Sequence, residues 1–217
     1  MIKKSFIFRN VAITACLVGV TIFTSCKPEE PKGNEDTNTP EKIGVKINGV
    51  VWSPYNVGAT GAFVSAPENY GGLYQWNRKD TANFLLYDDY YASSYPTATS
   101  WLAANNPCPK GWRVPTRTEI DSFLDTDKVT SEWTTENGIN GRRFTDKTTN
   151  KSIFLPAASY RNKFDGALSD VGENGYYLGS ITSDNGGAYG LYLDSSRAVF
   201  SYGYDKACGF PVRCVAE

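Results

Sequence analysis

The alternation of apolar and polar positions becomes regular at residue 43. Ile43-Gly-Val-Lys-Ile47 and Val50-Val-Trp52 flank Asn48-Gly49. An Asn-Gly pair between two such runs predicts a β-hairpin with a type I′ turn, because both central residues must take φ > 0. Leu73-Tyr-Gln-Trp76, placed after Gly71-Gly72, predicts a short strand. Residues 88–106 are rich in Tyr, Ser, Thr and Asn and contain Pro96. They predict irregular chain with one short helix at 99–104.

The clearest helix follows Pro115. Thr116 and Glu119 have the spacing of a capping box, and Ile120, Phe123 and Leu124 fall on one stripe. Asn137-Gly138 and Asn140-Gly141 then mark turns, and Lys151-Ser-Ile-Phe-Leu155 reads as a strand stopped by Pro156. Further strands are expected at 175–180, 187–193, 198–202 and 210–215. Few helices, placed before most of the strands, predict an α+β class with an antiparallel sheet. At roughly 150 residues per domain, the chain's 217 residues allow one domain, expected at 43–217.

The first 25 residues have a different character. Lys3, Lys4 and Arg9 precede an apolar stretch at 11–24. That stretch is too short to span a membrane, so it reads as a signal peptide. Phe23-Thr24-Ser25-Cys26 resembles the lipobox of bacterial lipoproteins, which makes Cys26 the expected lipidated residue and the expected link to a membrane. Residues 26–42 hold Pro, Asn, Asp, Glu and Thr with almost no apolar side chain. Such a composition cannot bury enough surface to order itself and reads as a disordered tether. Lys27-Pro-Glu-Glu30 resembles the export signal of surface lipoproteins in Bacteroides-like bacteria, so an outer-membrane, cell-surface location is expected.

Composition removes several functions. There is no histidine, which excludes Ser-His-Asp and Cys-His catalysis and His-ligated zinc. Lys+Arg 22 against Asp+Glu 23 leaves a formal charge of −1, without the basic excess that nucleic acid demands. With Cys16 in the signal and Cys26 lipidated, Cys108, Cys208 and Cys214 remain for an oxidising compartment. One disulfide and one thiol is the simplest outcome, and Cys108 has either Cys214 or Cys208 as partner.

Pro107-Cys-Pro-Lys-Gly-Trp-Arg-Val-Pro-Thr-Arg-Thr-Glu119 resembles the signature of the Fibrobacter succinogenes major paralogous (FISUMP) domain. Other blocks fall in that family's order: Asn48-Gly49 with Trp52 and Asn56, Tyr70-Gly-Gly-Leu-Tyr-Gln-Trp76, and Leu155-Pro-Ala-Ala-Ser-Tyr-Arg161. Gly175-Tyr-Tyr-Leu-Gly-Ser180 and Gly209-Phe-Pro-Val-Arg-Cys-Val215 complete the series. The resemblance implies a C-type lectin-like fold, related to formylglycine-generating enzymes, on a surface lipoprotein. It also implies a Cys108–Cys214 disulfide. Leu178 replaces the family's usual Trp, and Cys208 is an additional cysteine.

No enzyme, metal or cofactor is expected. The copper site of the related enzymes needs two free cysteines, whereas Cys214 is expected in a disulfide. The acidic candidates Asp88-Asp89, Glu119 with Asp121, and Asp165 with Asp170 lack a diagnostic spacing, and Glu119 already caps a helix. The 165–173 segment lacks EF-hand spacing. Trp52, Trp76, Trp112, Phe154 and Phe210 read as core. Tyr90, Tyr91 and Tyr95, and above all Tyr160-Arg161-Asn162 and Tyr176-Tyr177, sit among Asn, Ser, Asp and Gly, the mixture binding loops use. The expected site is therefore Tyr160, Arg161, Asn162, Tyr176 and Tyr177 on one shallow face, with a glycan or protein ligand. A structural subunit of a surface appendage would instead expose an apolar strand edge. An unrecognised enzyme would show a deep pocket of clustered carboxylates.

Overall fold

A computed structural model describes residues 39–94, 98–184 and 186–217. Cys26, Tyr95 and the signal segment lie outside the described residues. Contacts divide the chain into two units, and every described element belongs to the second, Asp36–Glu217.

The class is α+β with antiparallel sheets and few helices. In order come α1 (Pro40–Ile43), β1 (Val45–Ile47), β2 (Val50–Asn56), α2 (Tyr87–Ser94) and a 3₁₀ turn (Ala103–Asn105). Then follow β3 (Trp112–Arg113), α3 (Arg117–Leu124), β4 (Val129–Glu136), β5 (Ile139–Asp146) and β6 (Ser152–Pro156). The last strands are β7 (Tyr160–Arg161), β8 (Leu168–Ser169), β9 (Gly175–Thr182), β10 (Ala188–Leu193), β11 (Ala198–Tyr204) and β12 (Arg213–Ala216). They form sheets ordered β1-β2-β12-β3, β11-β10-β9, β4-β5-β6 and β7-β8.

Local chemistry explains the elements that were predicted. Asn48 and Gly49 take φ 44° and 85°, and Val45 pairs with Trp52 across the resulting hairpin. At α3 both halves of the capping box form: the Thr116 hydroxyl accepts from the Glu119 amide, and the Glu119 carboxylate accepts from the Thr116 amide. Ile120 and Phe123 are buried there, with Phe123 stacked on Trp52 at 4.0 Å. Two interior clusters result. Val57, Tyr74, Trp76, Trp112, Leu178, Phe210 and Cys214 fill one, and Trp52, Phe123, Phe144, Leu155, Tyr177 and Val215 fill the other. Strands β9 and β12 serve both, because period-2 alternation sends Tyr177 and Val215 one way and Leu178 and Cys214 the other.

Several expectations are corrected. The boundary at residue 42 falls inside α1, so the end of the expected tether belongs to the folded unit. Pro40 stands at the first helical position, the Gly44 amide closes the turn on its carbonyl, and its ring packs on Gly111. The segment from residue 88, expected to be irregular, enters α2. There Tyr87 and Tyr91 meet at 4.6 Å one turn apart, Asp88 and Asp89 complement the helix N-terminus, and Tyr90 is a buried anchor. The helix expected at 99–104 is only the 3₁₀ turn, because the end of β9 takes its first residues. Trp101 N donates to Ser180 O, and Thr182 N to Thr99 O. Leu73–Trp76 makes a single bridge, Tyr74 to Phe210, rather than a ladder. Pro211, which has no amide to donate, delays β12 to residue 213. Strand β4 was not predicted, since its mostly exposed, Thr-rich face gives no clean alternation.

Glu119 accepts from the Arg113 guanidinium through both oxygens, at 2.9 and 2.7 Å, besides its cap bonds. Burial alone would raise its pKa, but the Arg113 and Thr116 hydrogen bonds outweigh that and hold it below the ordinary glutamate value of 4.5. A depressed folded-state pKa contributes stability that is present above 4.5 and lost as pH falls through the lower folded value. Glu119→Gln should therefore cost about 1 kcal/mol at pH 7 and flatten the acid limb of a stability–pH curve below that value. Urea unfolding across pH 3–7 checks this, and an unchanged acid limb would count against it.

Candidate functional site

The residues of the signature-like blocks are mostly committed to the interior. Arg213, only 1% exposed, lies between the sheets. Its Nε donates to Asn56 Oδ1 at 2.8 Å, its Nη1 to the carbonyls of Ser53 (3.2 Å) and Pro54 (2.8 Å), and its Nη2 to Phe154 O at 3.0 Å. Burial pushes this guanidinium down to about 10, which still leaves it charged at neutral pH. Asn56 also donates to Tyr70 O, and the Tyr177 hydroxyl donates to Pro156 O at 2.7 Å. Cys108 and Cys214 form the disulfide. Trp52, Trp76, Trp112, Phe154 and Phe210 are all buried.

This divides the expected site residues. Tyr177 is withdrawn from it: the side chain is 3% exposed, bonded internally, and pushed by burial up to about 12. Tyr160 and Tyr176 do meet, edge to face at 5.1 Å, but both pack onto Phe210, and the Tyr176 hydroxyl donates to Asp170. They form a half-buried aromatic wall. The Asn162 side chain accepts from Phe164 N at 2.8 Å, so it shapes the 162–167 turn. Arg161 alone turns the other way. On the β7–β8 ladder it pairs with Leu168 while Tyr160 pairs with Ser169, and cross-strand partners share a face.

On the Arg161 side a surface emerges that the sequence did not reveal. Among the described residues the exposed large apolar side chains are Leu86, Tyr87, Leu102, Phe164, Leu168 and Val171. All but Leu102 gather here. Tyr87 and Phe164 lie 5.4 Å apart, with Phe164 65% exposed at the turn tip, and Leu86 reaches toward the Gly166 turn. Leu168 and Val171 line a groove of about 250 Å³ with Arg161, Tyr70, Leu73 and Thr81. Phe84 and Arg161 both pack on Gly209, with the guanidinium carbon 5.2 Å from the centre of the Phe84 ring. A rigid framework supports these loops: Tyr87 N donates to Lys163 O, and Arg161 and Gly209 exchange backbone hydrogen bonds. One available signal was Phe164 itself, since a large apolar side chain within Asn162-Lys-Phe-Asp-Gly166 lies in a turn too tight to bury it.

The electrostatics are local. Lys163 Nζ lies over the Tyr87 and Phe164 rings, at 4.6 and 4.9 Å, and pairs with Asp205. Burial works against its charge, yet Asp205 raises its pKa on balance. Asp205 also accepts from the Tyr91 hydroxyl. Beneath this pair Cys208 is free and buried, and burial pushes its thiol up to about 11, so it is protonated at neutral pH. The acidic candidates are engaged elsewhere: Asp165 with Ala167 N, Asp170 with Tyr176, and Glu119 with Arg113. Among the described residues no group of three His, Cys, Asp or Glu side chains gathers in a metal-binding arrangement.

A second cavity lies where the described chain begins. Thr39, Pro40, Gly111 and Glu217 surround a single cavity of about 510 Å³. Comparison with known proteins adds no assignment: no family model, curated protein or solved structure matches this chain. Among the described residues no helix is long and apolar enough to cross a membrane.

Proposed function

We propose that this chain is a surface-anchored lipoprotein whose C-type lectin-like domain, of the FISUMP kind, is a non-enzymatic binding module for a glycan or protein ligand. One observation carries the reading: Leu86, Tyr87, Phe164, Leu168 and Val171 share one exposed face with Arg161 and Lys163. An apolar patch assembled on braced loops marks an interaction site, because leaving it in water is unfavourable. The order of the signature-like blocks supports the family assignment, and their convergence on Arg213 and the disulfide gives them a shared structural purpose.

A strand-addition role draws less support. Glu132 and Glu136 charge the β4 edge, and a register shift interrupts the pairing of β10 with β11. The test is binding of the unit Asp36–Glu217 to glycan arrays and extracellular-matrix proteins. Phe164→Ala should weaken a genuine hit at least tenfold, as for a central aromatic anchor, with unchanged melting. Blank arrays, or full binding by the variant, would overturn the proposal.

A further inference from the structure

We infer that the groove beside Arg161 takes a carboxylate-bearing sugar ring, a uronic or sialic acid unit of an acidic glycan. The inference rests on the binding reading above and narrows its ligand class. Its first element is the state of Arg161. Among the described residues no carboxylate pairs with its guanidinium, in contrast to Lys163 (Asp205), Arg113 (Glu119) and Arg143 (Glu132 and Glu136). The Phe84 ring supports one face of the fork, leaving its edge N–H groups available. An arginine held in this way matches a carboxylate in a planar, bidentate fashion.

Size and lining supply the second element. At about 250 Å³ the groove is smaller than pockets that enclose a drug-sized ligand, which start near 300 Å³. One ring of a larger polymer is the fitting occupant. Leu73, Leu168 and Val171 offer that ring an apolar wall, and Thr81 and Tyr70 complete the lining. An acidic sugar presents a carboxylate, hydroxyls and an apolar C–H face in one unit. An aspartate or glutamate side chain from a protein would satisfy the arginine but leave the apolar wall uncovered. Asp165 and Asp170 are held by hydrogen bonds from Ala167 N and the Tyr176 hydroxyl, and neither pairs with Arg161. The Phe164 side chain, 65% exposed at the turn tip, offers an apolar contact to a neighbouring ring of the same polymer.

The test uses calorimetric titration of the unit Asp36–Glu217, which holds both interior clusters and the disulfide. The probes are a galacturonic acid trimer and sialyllactose, each beside its carboxyl-reduced counterpart, so that uronic and sialic sources are distinguished. At least one acidic form should bind tenfold or more tightly than its reduced form. Arg161→Gln should erase that preference without shifting the melting temperature, Arg161→Lys should restore part of it, and raised salt should weaken only the acidic form. Equal binding of acidic and reduced forms, or a preference that survives Arg161→Gln, would overturn the inference while leaving the binding module standing. So would protein hits on the arrays that no acidic sugar displaces. No binding to any probe, with blank arrays, would remove both readings.

Discussion

Arg213→Ala is expected to destabilise the domain by about 4 kcal/mol, among the largest effects a single substitution can have here. The guanidinium satisfies Asn56 Oδ1 and the carbonyls of Ser53, Pro54 and Phe154, all in the interior between β2, β6 and β12. Each buried acceptor left without a donor costs about 1–3 kcal/mol, part of which an entering water can recover. Arg213→Lys keeps the charge but not the fork, so it should recover only a fraction. Arg213→Met fills the volume yet leaves every acceptor unpaired, and should behave like alanine. Urea midpoints at constant m-value measure all of these. A loss below about 1 kcal/mol for alanine would mean the carbonyls find other donors and that Arg213 is not the internal tie described.

Breaking the Cys108–Cys214 bridge is the second large effect. The cysteines are 106 positions apart, and the bridge joins the segment before β3 to β12, its neighbour in the sheet. Closing so long a loop removes unfolded-state freedom worth about 2–5 kcal/mol. The Cys108→Ala/Cys214→Ala pair should therefore melt on the order of 10 °C lower in a domain of this size. Wild type in reductant should show the same loss. Cys208 provides the internal check: as a buried thiol outside the bridge it should be the one cysteine of the domain labelled after unfolding without reduction. A bridge found instead between Cys108 and Cys208, or melting that ignores reductant, would contradict this account.

The two Asn-Gly pairs after α3 illustrate how far local signals reach. Asn137 and Gly138 take φ 47° and 83° and turn β4 into β5, as their type predicts. Asn140-Gly141 has the same composition but lies within β5. A Cβ at Gly141 would come within 2.4 Å of Leu155 O and 2.5 Å of the Phe154 ring, so this glycine answers a neighbour on β6. The tyrosines divide in a similar way. The sequence could say that Tyr176 and Tyr177 face opposite ways in a strand. It could not say that the second side is interior, because that depends on Trp52, Phe144 and Leu191 arriving from distant segments.

The candidate site follows the same division. Its members come from 70–87, from 161–171 and from the chain around Gly209, and no pattern within any one of these announces the others. The sequence by itself determined the α+β class, the first hairpin, the capped helix α3, the buried tryptophans and the exclusion of histidine chemistry. Apart from the tryptophans, whose large apolar side chains make burial the default, each of those depends on interactions within a few residues or on composition alone. Only the tertiary structure decided that Arg213 is an internal tie, that Tyr177 is core, and that Arg161 faces a groove among exposed apolar side chains. Those outcomes rest on burial and on partners roughly 50 to 160 positions away in the chain, and burial belongs to the packed assembly rather than to any segment of it.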